Sequence, residues 1–139
     1  MDLSALGDVT SAEQGAVMTV CHPGTGAELR TAEDKPITIT LASSDSERVR
    51  RVTRRATNRR LQQARGGRAT VTAEALEAEG LNALIAATIA WDGIALSDGP
   101  LPLSDDNARR VYTELPWLRE QAQSFIDDRG NYSKSSQAA

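Results

Sequence analysis

Residues 37–67, ITITLASSDSERVRRVTRRATNRRLQQARGG, place an alternating run of apolar and hydroxyl residues directly before an arginine-rich segment. In the first five residues, the isoleucines and the leucine would share one face of a strand, with the threonines facing solvent. Asp45 or Ser46 can cap the helix that follows, which we expect to run to about Arg65 before two glycines end it. This stretch therefore predicts one strand followed by one helix.

A second β-prone run lies upstream, at residues 16–21, AVMTVC. It is followed by residues 22–26, HPGTG, in which proline fixes φ and glycine accepts a positive φ. The two runs predict an N-terminal two-stranded antiparallel ribbon over residues 16–41. Because a two-stranded ribbon is marginally stable alone, we expect it to pack on helices.

Four helices are predicted in all, at about residues 46–65, 73–91, 105–115 and 116–129. The second has the clearest apolar face, because its apolar residues and one threonine repeat at i, i+3, i+4, i+7 and i+8. These residues are Leu81, Leu84, Ile85, Thr88 and Ile89. The prediction is an α+β fold in which the ribbon packs on a three- to four-helix, mainly α domain.

The domain boundaries follow from where these patterns stop. Residues 16–130 are predicted to form a single domain, in keeping with a chain of 139 residues. Residues 1–15 are small and polar and predict a flexible N-terminal arm. Residues 131–139 predict a flexible C-terminal tail. No run of 18 apolar residues and no signal peptide is present, so we expect a cytoplasmic protein without a membrane span.

Charge is divided unevenly along the chain. Residues 45–68 contain nine arginines and two acids, a net charge of +7, while the remainder has seven basic and seventeen acidic residues, a net charge of −10. Three interpretations stay open: a solvated face neutralised within the fold, a surface for an acidic protein partner, and a nucleic-acid surface. The predicted partner contacts here are Arg51, Arg54, Arg55 and Arg59.

Two tryptophans are also candidate contacts. Trp91 is predicted to end a helix and Trp117 to begin one, in a chain of only five aromatic residues. Either they cover the ends of a thin core, or they are exposed anchors for a partner, since tryptophan and arginine dominate binding hot spots.

The residues of common catalytic and metal sites are scarce. Cys21 and His22 are the single cysteine and the single histidine, which leaves no internal disulfide and few metal or acid–base arrangements. No glycine-rich phosphate loop is present. We therefore expect no catalytic, cofactor-binding or metal-binding residues, and a protein that is not an enzyme.

The order of motifs resembles a known family. The turn at residues 22–26 is followed by the residues 37–67 and then by Trp91-Asp92-Gly93. The most specific part is the closing series, W-x-G, LP-x-S at residues 101–104, N-A-x-x-x-Y at 107–112 and PW-x-x-x-Q at 116–121. The series is similar to the small tail assembly chaperones of long-tailed bacteriophages over about residues 16–130. It departs from them at residues 42–44, where a glycine is expected.

The resemblance implies a binding protein that holds the tape-measure protein, keeps it soluble and helps recruit tail-tube subunits. It implies the cytoplasm of a bacterial host as location, and absence from the finished virion. Two alternatives remain open: a structural head–tail or tail-completion protein of the virion, and a nucleic-acid-binding module that uses helix 47–65. Self-association also stays open.

Overall fold

The computed structural model describes residues 1–67 and 71–133, and its architecture is α+β as predicted. Within these residues the strands are β1 (Ala16–Thr19), β2 (Thr38–Leu41), β3 (Thr88–Asp92), β4 (Ala95–Leu96) and β5 (Gly99–Pro100). The α-helices are α1 (Val9–Gln14), α2 (Glu47–Arg65), α3 (Ala73–Ala87), α4 (Asp105–Glu114) and α5 (Pro116–Asp127).

The predicted ribbon is part of a larger sheet. β1 and β2 pair antiparallel, and β3 adds to the other edge of β2, giving the strand order β1-β2-β3. Met18, Ile39 and Trp91 lie opposite one another across the three strands. Met18 and Ile39 are buried on the side of the sheet that packs in the core. The small β4–β5 pair forms a separate hairpin.

The predicted helix over residues 73–91 is wrong in its last turn. α3 ends at Ala87, and Thr88 begins β3 with extended backbone angles. The Thr88 hydroxyl donates to the Leu84 carbonyl at 2.9 Å, which satisfies one carbonyl at the helix end. Thr88 and Ile89 continue the helical spacing of the core residues, but both are β-branched and belong to β3, where Thr88 pairs with Leu41 of β2.

The core lies between the sheet and the second half of α3, together with α4 and α5. Its fully buried side chains come from all of these elements. They include Ile39, Leu41, Leu84, Val111, Tyr112, Leu118 and Ile126. By contrast, none of the described residues from 57 to 79 is buried. We call residues 57–65 of α2 and 73–79 of α3 the distal helix pair.

Residues 1–15, predicted as a flexible arm, contain α1 and a 3₁₀ turn at Leu3–Leu6. The Asp8 side chain caps α1 by accepting from Ser11 N at 2.9 Å. The Glu13 carboxylate accepts from Glu47 N at 2.9 Å and from Arg48 Nε at 3.1 Å. Ser46 occupies the N-cap position of α2 without a side-chain cap bond, so Glu13 supplies the carboxylate that the helix start favours.

The first residues of the predicted C-terminal tail pack on the domain. A 3₁₀ turn spans Arg129–Tyr132, and the Tyr132 side chain is buried, with its hydroxyl donating to the Leu41 carbonyl at 3.0 Å. Its ring meets Phe125 edge to face, with centroids 5.8 Å apart. One aromatic residue thus ties an otherwise polar segment to β2. The rest of the predicted tail, residues 134–139, lies outside the described residues, as does Arg68.

Among the residues described, no helix combines the length and apolar character that crossing a membrane requires.

Candidate functional site

An open groove of about 1020 Å³ lies where four parts of the chain meet. One wall is the loop before β2, and the others are the end of β3, the segment before α4 and the junction of α4 with α5. Trp91 and Trp117, predicted as separate candidates, both line this groove. Its apolar lining includes Leu29, Ile37, Ile94, Leu101, Leu103 and Leu115. The groove can therefore bury apolar side chains of a partner.

The two tryptophans are held differently. Trp91 belongs to β3 opposite Ile39, and its indole Nε1 donates to the Leu101 carbonyl at 3.0 Å. Trp117 follows Pro116 in the first turn of α5, and its half-buried side chain also borders a second hollow of about 680 Å³. The position of Trp91 is thus fixed both by strand pairing and by the hydrogen bond of its indole, while the position of Trp117 is set by the first turn of α5.

The segment before α4 is tied down by its own polar residues. Ser104 is the N-cap of α4 and accepts from Asn107 N at 3.1 Å. The Asn107 side-chain amide donates to the Pro102 carbonyl at 2.8 Å, which folds the segment back on the helix start. These contacts fix the wall that carries Leu101 and Leu103.

α5 is anchored to the segment just after β1 by a two-point amide contact. Cys21 N donates to Gln121 Oε1 at 3.1 Å, and Gln121 Nε2 donates to the Cys21 carbonyl at 2.6 Å. Gln121 lies one turn after Trp117, so this contact sets the position of the helix that carries the tryptophan. Cys21 itself is half-buried.

Gly93 lets two walls of the groove approach each other. Its φ is +83°, and a Cβ at this position would lie 2.8 Å from Thr31 Cγ2 and 3.3 Å from Ile37 Cγ1. A side chain here would have to displace the loop that forms the opposite wall.

A buried hydroxyl chain lies behind the groove. The Thr88 hydrogen is used on the Leu84 carbonyl, so the Tyr112 hydroxyl donates to Thr88 Oγ1, at 2.8 Å. Burial raises the pKa of Tyr112 to about 12. This chain fixes the point where α3 becomes the strand that carries Trp91.

The arginine-rich helix is only partly neutralised. Three of its arginines form ion pairs: Arg48 with Glu13, Arg54 with Glu47 and Arg60 with Glu79. Of the four arginines predicted as partner contacts, Arg54 is thus paired. The remaining three are exposed and make no ion pair or hydrogen bond with any described residue. They are Arg51, Arg55 and Arg59, which we call the arginine row.

The structure does not bring the two predicted sets of residues together. No α2 residue lines the groove within the described part of the chain, so the tryptophans and the arginine row belong to separate surfaces. His22 lies in the exposed turn, where its Nδ1 accepts from Gly24 N and Thr25 N at 2.9 and 3.1 Å. Residues 1–67 and 71–133 hold no group of three potential metal ligands.

Sequence reasoning missed most of the groove lining. Leu101 and Leu103 alternate with prolines in PLPL at residues 100–103, which is a weak sign of an extended wall. Leu29 and Ile37 join the groove only because the loop between β1 and β2 folds beside β3. Such contacts depend on tertiary packing and leave no local pattern.

Comparison with other proteins adds no relative. No protein-family model matches the chain, and neither curated proteins nor solved structures match it.

Proposed function

We propose that this protein is a tail assembly chaperone of a long-tailed bacteriophage. It binds an apolar helical segment of the tape-measure protein in the Trp91–Trp117 groove and keeps that protein soluble until tail-tube subunits enclose it. It acts in the bacterial cytoplasm, performs no chemical reaction and is released before the virion is complete.

The observation that carries this proposal is where the family-like motifs lie. W-x-G contributes Trp91 and Gly93 to the groove, the LP-x-S segment contributes Leu101 and Leu103, and the PW segment contributes Trp117. Three of the four motifs with the strongest resemblance to the chaperone family thus contribute residues to one apolar groove, while N-A-x-x-x-Y at residues 107–112 does not line it. That convergence supports a shared binding role rather than scattered structural roles.

The groove has the properties that such a chaperone needs. A tape-measure helix exposes long apolar stripes before enclosure, which makes it prone to aggregation. A chaperone must cover such a stripe and later let it go, so its groove has to be open and its contact modest in area. Tryptophan suits this purpose because it buries a large apolar surface with few rotatable bonds.

Co-expression with the tape-measure protein encoded beside this chain tests the proposal. We expect a larger soluble fraction of the tape-measure protein with this chain than without it. Trp117→Ala should weaken the complex by about 30-fold, the size expected for a hot-spot tryptophan. Leu61→Ala is the matched control, because Leu61 is an exposed apolar residue outside the groove.

Two results would contradict the proposal. One is an unchanged soluble fraction of the tape-measure protein when the chain is present in excess. The other is recovery of this chain in purified virions by mass spectrometry, which would favour the structural head–tail or tail-completion role instead. Circular dichroism of Trp117→Ala shows whether a loss of binding comes from the groove or from unfolding.

A further inference from the structure

β1 lies at one edge of the three-stranded sheet, and among the described strands it pairs only with β2. Val20 N donates at 2.9 Å toward the segment that leads into β2, whereas the backbone groups of Cys21 bond the Gln121 side chain on the outer side. Because backbone groups alternate in direction along an antiparallel strand, Val17 and Thr19 direct theirs to the same outer side as Cys21. Neither of these two N–H groups has a hydrogen-bond acceptor within residues 1–67 and 71–133.

The Gln121 side chain already pairs with one position of this edge. Its amide exchanges two hydrogen bonds with the backbone of Cys21, which is the pattern of a hydrogen-bonded residue pair between antiparallel strands. The amide thus takes the place of a neighbouring strand at Cys21 only. An extended peptide would continue the same pattern at Thr19 and Val17.

The two edges of the sheet differ in how well they are protected from strand addition. Native edge strands are protected by charges, prolines and bulges. β3 has an irregularity in its pairing with β2 and ends on Asp92. β1 has the sequence AVMT, with no charge, no proline and regular pairing, and its Val17 is 61% exposed. Strand addition is therefore favoured at β1.

α5 runs alongside this edge. Gln121 meets Cys21 just after β1 ends. Tyr132, which follows α5, bonds the residue of β2 that lies opposite Ala16, where β1 begins. The helix therefore follows β1 from its end to its start. Because a strand of four residues is about 10 Å long, an added strand of similar length would lie over α5.

The second hollow lies between this edge and α5. Its lining includes Met18 and Phe125, which are apolar, and Glu120 and Asp128, which are exposed carboxylates. No lysine or arginine from the described part of the chain lines it. A lysine or arginine side chain from outside fits this combination, because its stem is apolar and its end is positively charged.

We propose that an extended segment of the tape-measure protein that contains lysine or arginine adds to the outer edge of β1. Its backbone hydrogen-bonds Val17 and Thr19, and its side chains opposite Ala16 and Met18 enter the second hollow. This inference rests on the proposed function, because it gives the same partner a second contact. Trp117 borders both the groove and the second hollow, so one continuous surface binds a helical and an extended part of the partner.

Charge favours such a peptide over the other possible occupants of the edge. The carboxylates of Glu120 and Asp128 would repel a phosphate backbone. A second copy that paired through its own β1 would bring no positive charge, since β1 contains none. A basic extended segment satisfies both the free backbone groups and the two carboxylates.

Overlapping synthetic peptides that together cover the tape-measure protein test the proposal, with the full chain as receptor. At least one peptide with lysine or arginine should slow hydrogen exchange at the Val17 and Thr19 amides. The Met18 amide, which already faces β2, should be unchanged. Two-dimensional NMR reads the exchange residue by residue.

Val17→Pro removes one outward N–H and should weaken binding of that peptide by about tenfold, the effect of one lost hydrogen bond. Proline is tolerated on an edge strand where the N–H faces solvent, so the fold should persist, as circular dichroism can check. Val17→Thr is the matched variant, because it keeps the N–H and a β-branched side chain. It should weaken binding by no more than about twofold, and an equal loss in both variants would contradict strand addition.

Glu120→Gln/Asp128→Asn tests the charge contact. It should weaken the same peptide by about fivefold at about 20 mM NaCl and by less at about 500 mM NaCl, because salt screens exposed charges. The matched control Asp106→Asn/Glu114→Gln removes two exposed carboxylates with the same spacing on α4, outside both the groove and the second hollow. This control should bind like the wild type.

Leu103→Ala separates this inference from the proposed function, since Leu103 lines the groove and not the second hollow. Peptides that need Leu103 but never slow exchange at Val17 and Thr19 would overturn the inference alone. Binding by no peptide, with an unchanged soluble fraction of the tape-measure protein, would reject both. Slowed exchange at the two amides in the chain alone, increasing with its concentration, would assign the edge to a second copy and also overturn the inference.

Discussion

The distal helix pair and the rest of the domain differ in burial, although α3 belongs to both. Leu84 is fully buried among α4, α5 and the sheet, whereas Leu76, two turns earlier on the same helix, is 51% exposed. The two leucines have equal helix propensity, so their difference is due to what lies around them. One helix thus acts as a core element at its end and as a projecting surface at its start.

The two regions are also stabilised by different forces. The core gains its stability from apolar burial, and the distal helix pair relies on its backbone hydrogen bonds, the Arg60–Glu79 ion pair and a hydrogen bond from Arg119 Nη2 of α5 to the Glu77 carbonyl at 2.8 Å. Short helical segments without a buried face are marginal in water. The distal helix pair should therefore open locally at a lower free energy than the core.

The strongest test of this difference is a pair of identical truncations on α3. Leu84→Ala should lower the free energy of unfolding by about 3 kcal/mol, because it removes a fully buried side chain and leaves a cavity. Leu76→Ala should lower it by less than about 0.5 kcal/mol. Urea titration followed by circular dichroism measures both. Equal losses would mean that the distal helix pair is packed as tightly as the core.

A second test concerns the close approach at Gly93. Gly93→Ala should cost about 2 kcal/mol more than Gly26→Ala, since forcing extra volume into a packed site costs about 1–3 kcal/mol. Both glycines have a positive φ, but a Cβ on Gly26 would meet no atom within 4 Å. The pair thus separates steric clash from backbone strain. Similar melting temperatures for the two variants would show that the loop opposite Gly93 yields easily.

Local patterns were sufficient for most elements of the fold. The alternation at residues 37–41 predicted β2, and the spacing of Leu81, Leu84 and Ile85 predicted α3. The same spacing continues through Thr88 and Ile89, so periodicity alone placed the end of α3 too late. What ends the helix is pairing with β2, a contact between segments about 50 residues apart.

The site was less predictable than the fold. Composition identified Trp91 and Trp117 as unusual, but only folding brings them to one groove. Similarly, the number of arginines in the sequence does not show which of them are paired. Arg54 pairs with Glu47, but the sequence contains nineteen acidic residues and does not indicate which one an arginine will meet. Ion pairing and groove lining are tertiary properties, and no local pattern encodes them.

A third test concerns the buried Tyr112 hydroxyl, which hydrogen-bonds Thr88 at the start of β3. Tyr112→Phe should cost about 1 kcal/mol at neutral pH, because it removes one buried hydrogen bond to Thr88. The raised pKa of Tyr112, from 10.0 to about 12, gives stability that is present below pH 10 and lost as pH rises toward 12. The wild type should therefore lose more stability than Tyr112→Phe over that interval.

Unfolding by urea at several alkaline pH values measures this difference. Tyr132, whose pKa is also raised by burial, remains in both proteins and supplies a common background. Parallel pH curves would show that the Tyr112 hydroxyl is not what couples alkaline pH to unfolding of the core.

The smallest effect is expected at Asp45, just before α2. Its carboxylate accepts from Arg129 Nε at 2.7 Å and from Arg129 Nη2 at 3.1 Å. These bonds hold the pKa of Asp45 below its ordinary value of 3.8, despite partial burial. A lowered pKa in the folded state gives stability that is present above pH 3.8 and lost as pH falls below it. Because the pair is solvent-exposed, the loss should be well below that of Tyr112→Phe.

Asp45→Asn separates this contact from other acid-sensitive pairs. The variant should lose less stability than the wild type on acidification, as read from melting temperatures between pH 5 and pH 3, the interval around the ordinary pKa of aspartate. Hydrogen exchange at the acidic end then distinguishes the two regions. Since Arg129 holds the start of α2 and not its end, amides near Asp45 should lose protection while those of the distal helix pair stay unchanged. An equal loss along all of α2 would mean that the whole helix responds as one unit, and the division between core and distal helix pair would fail.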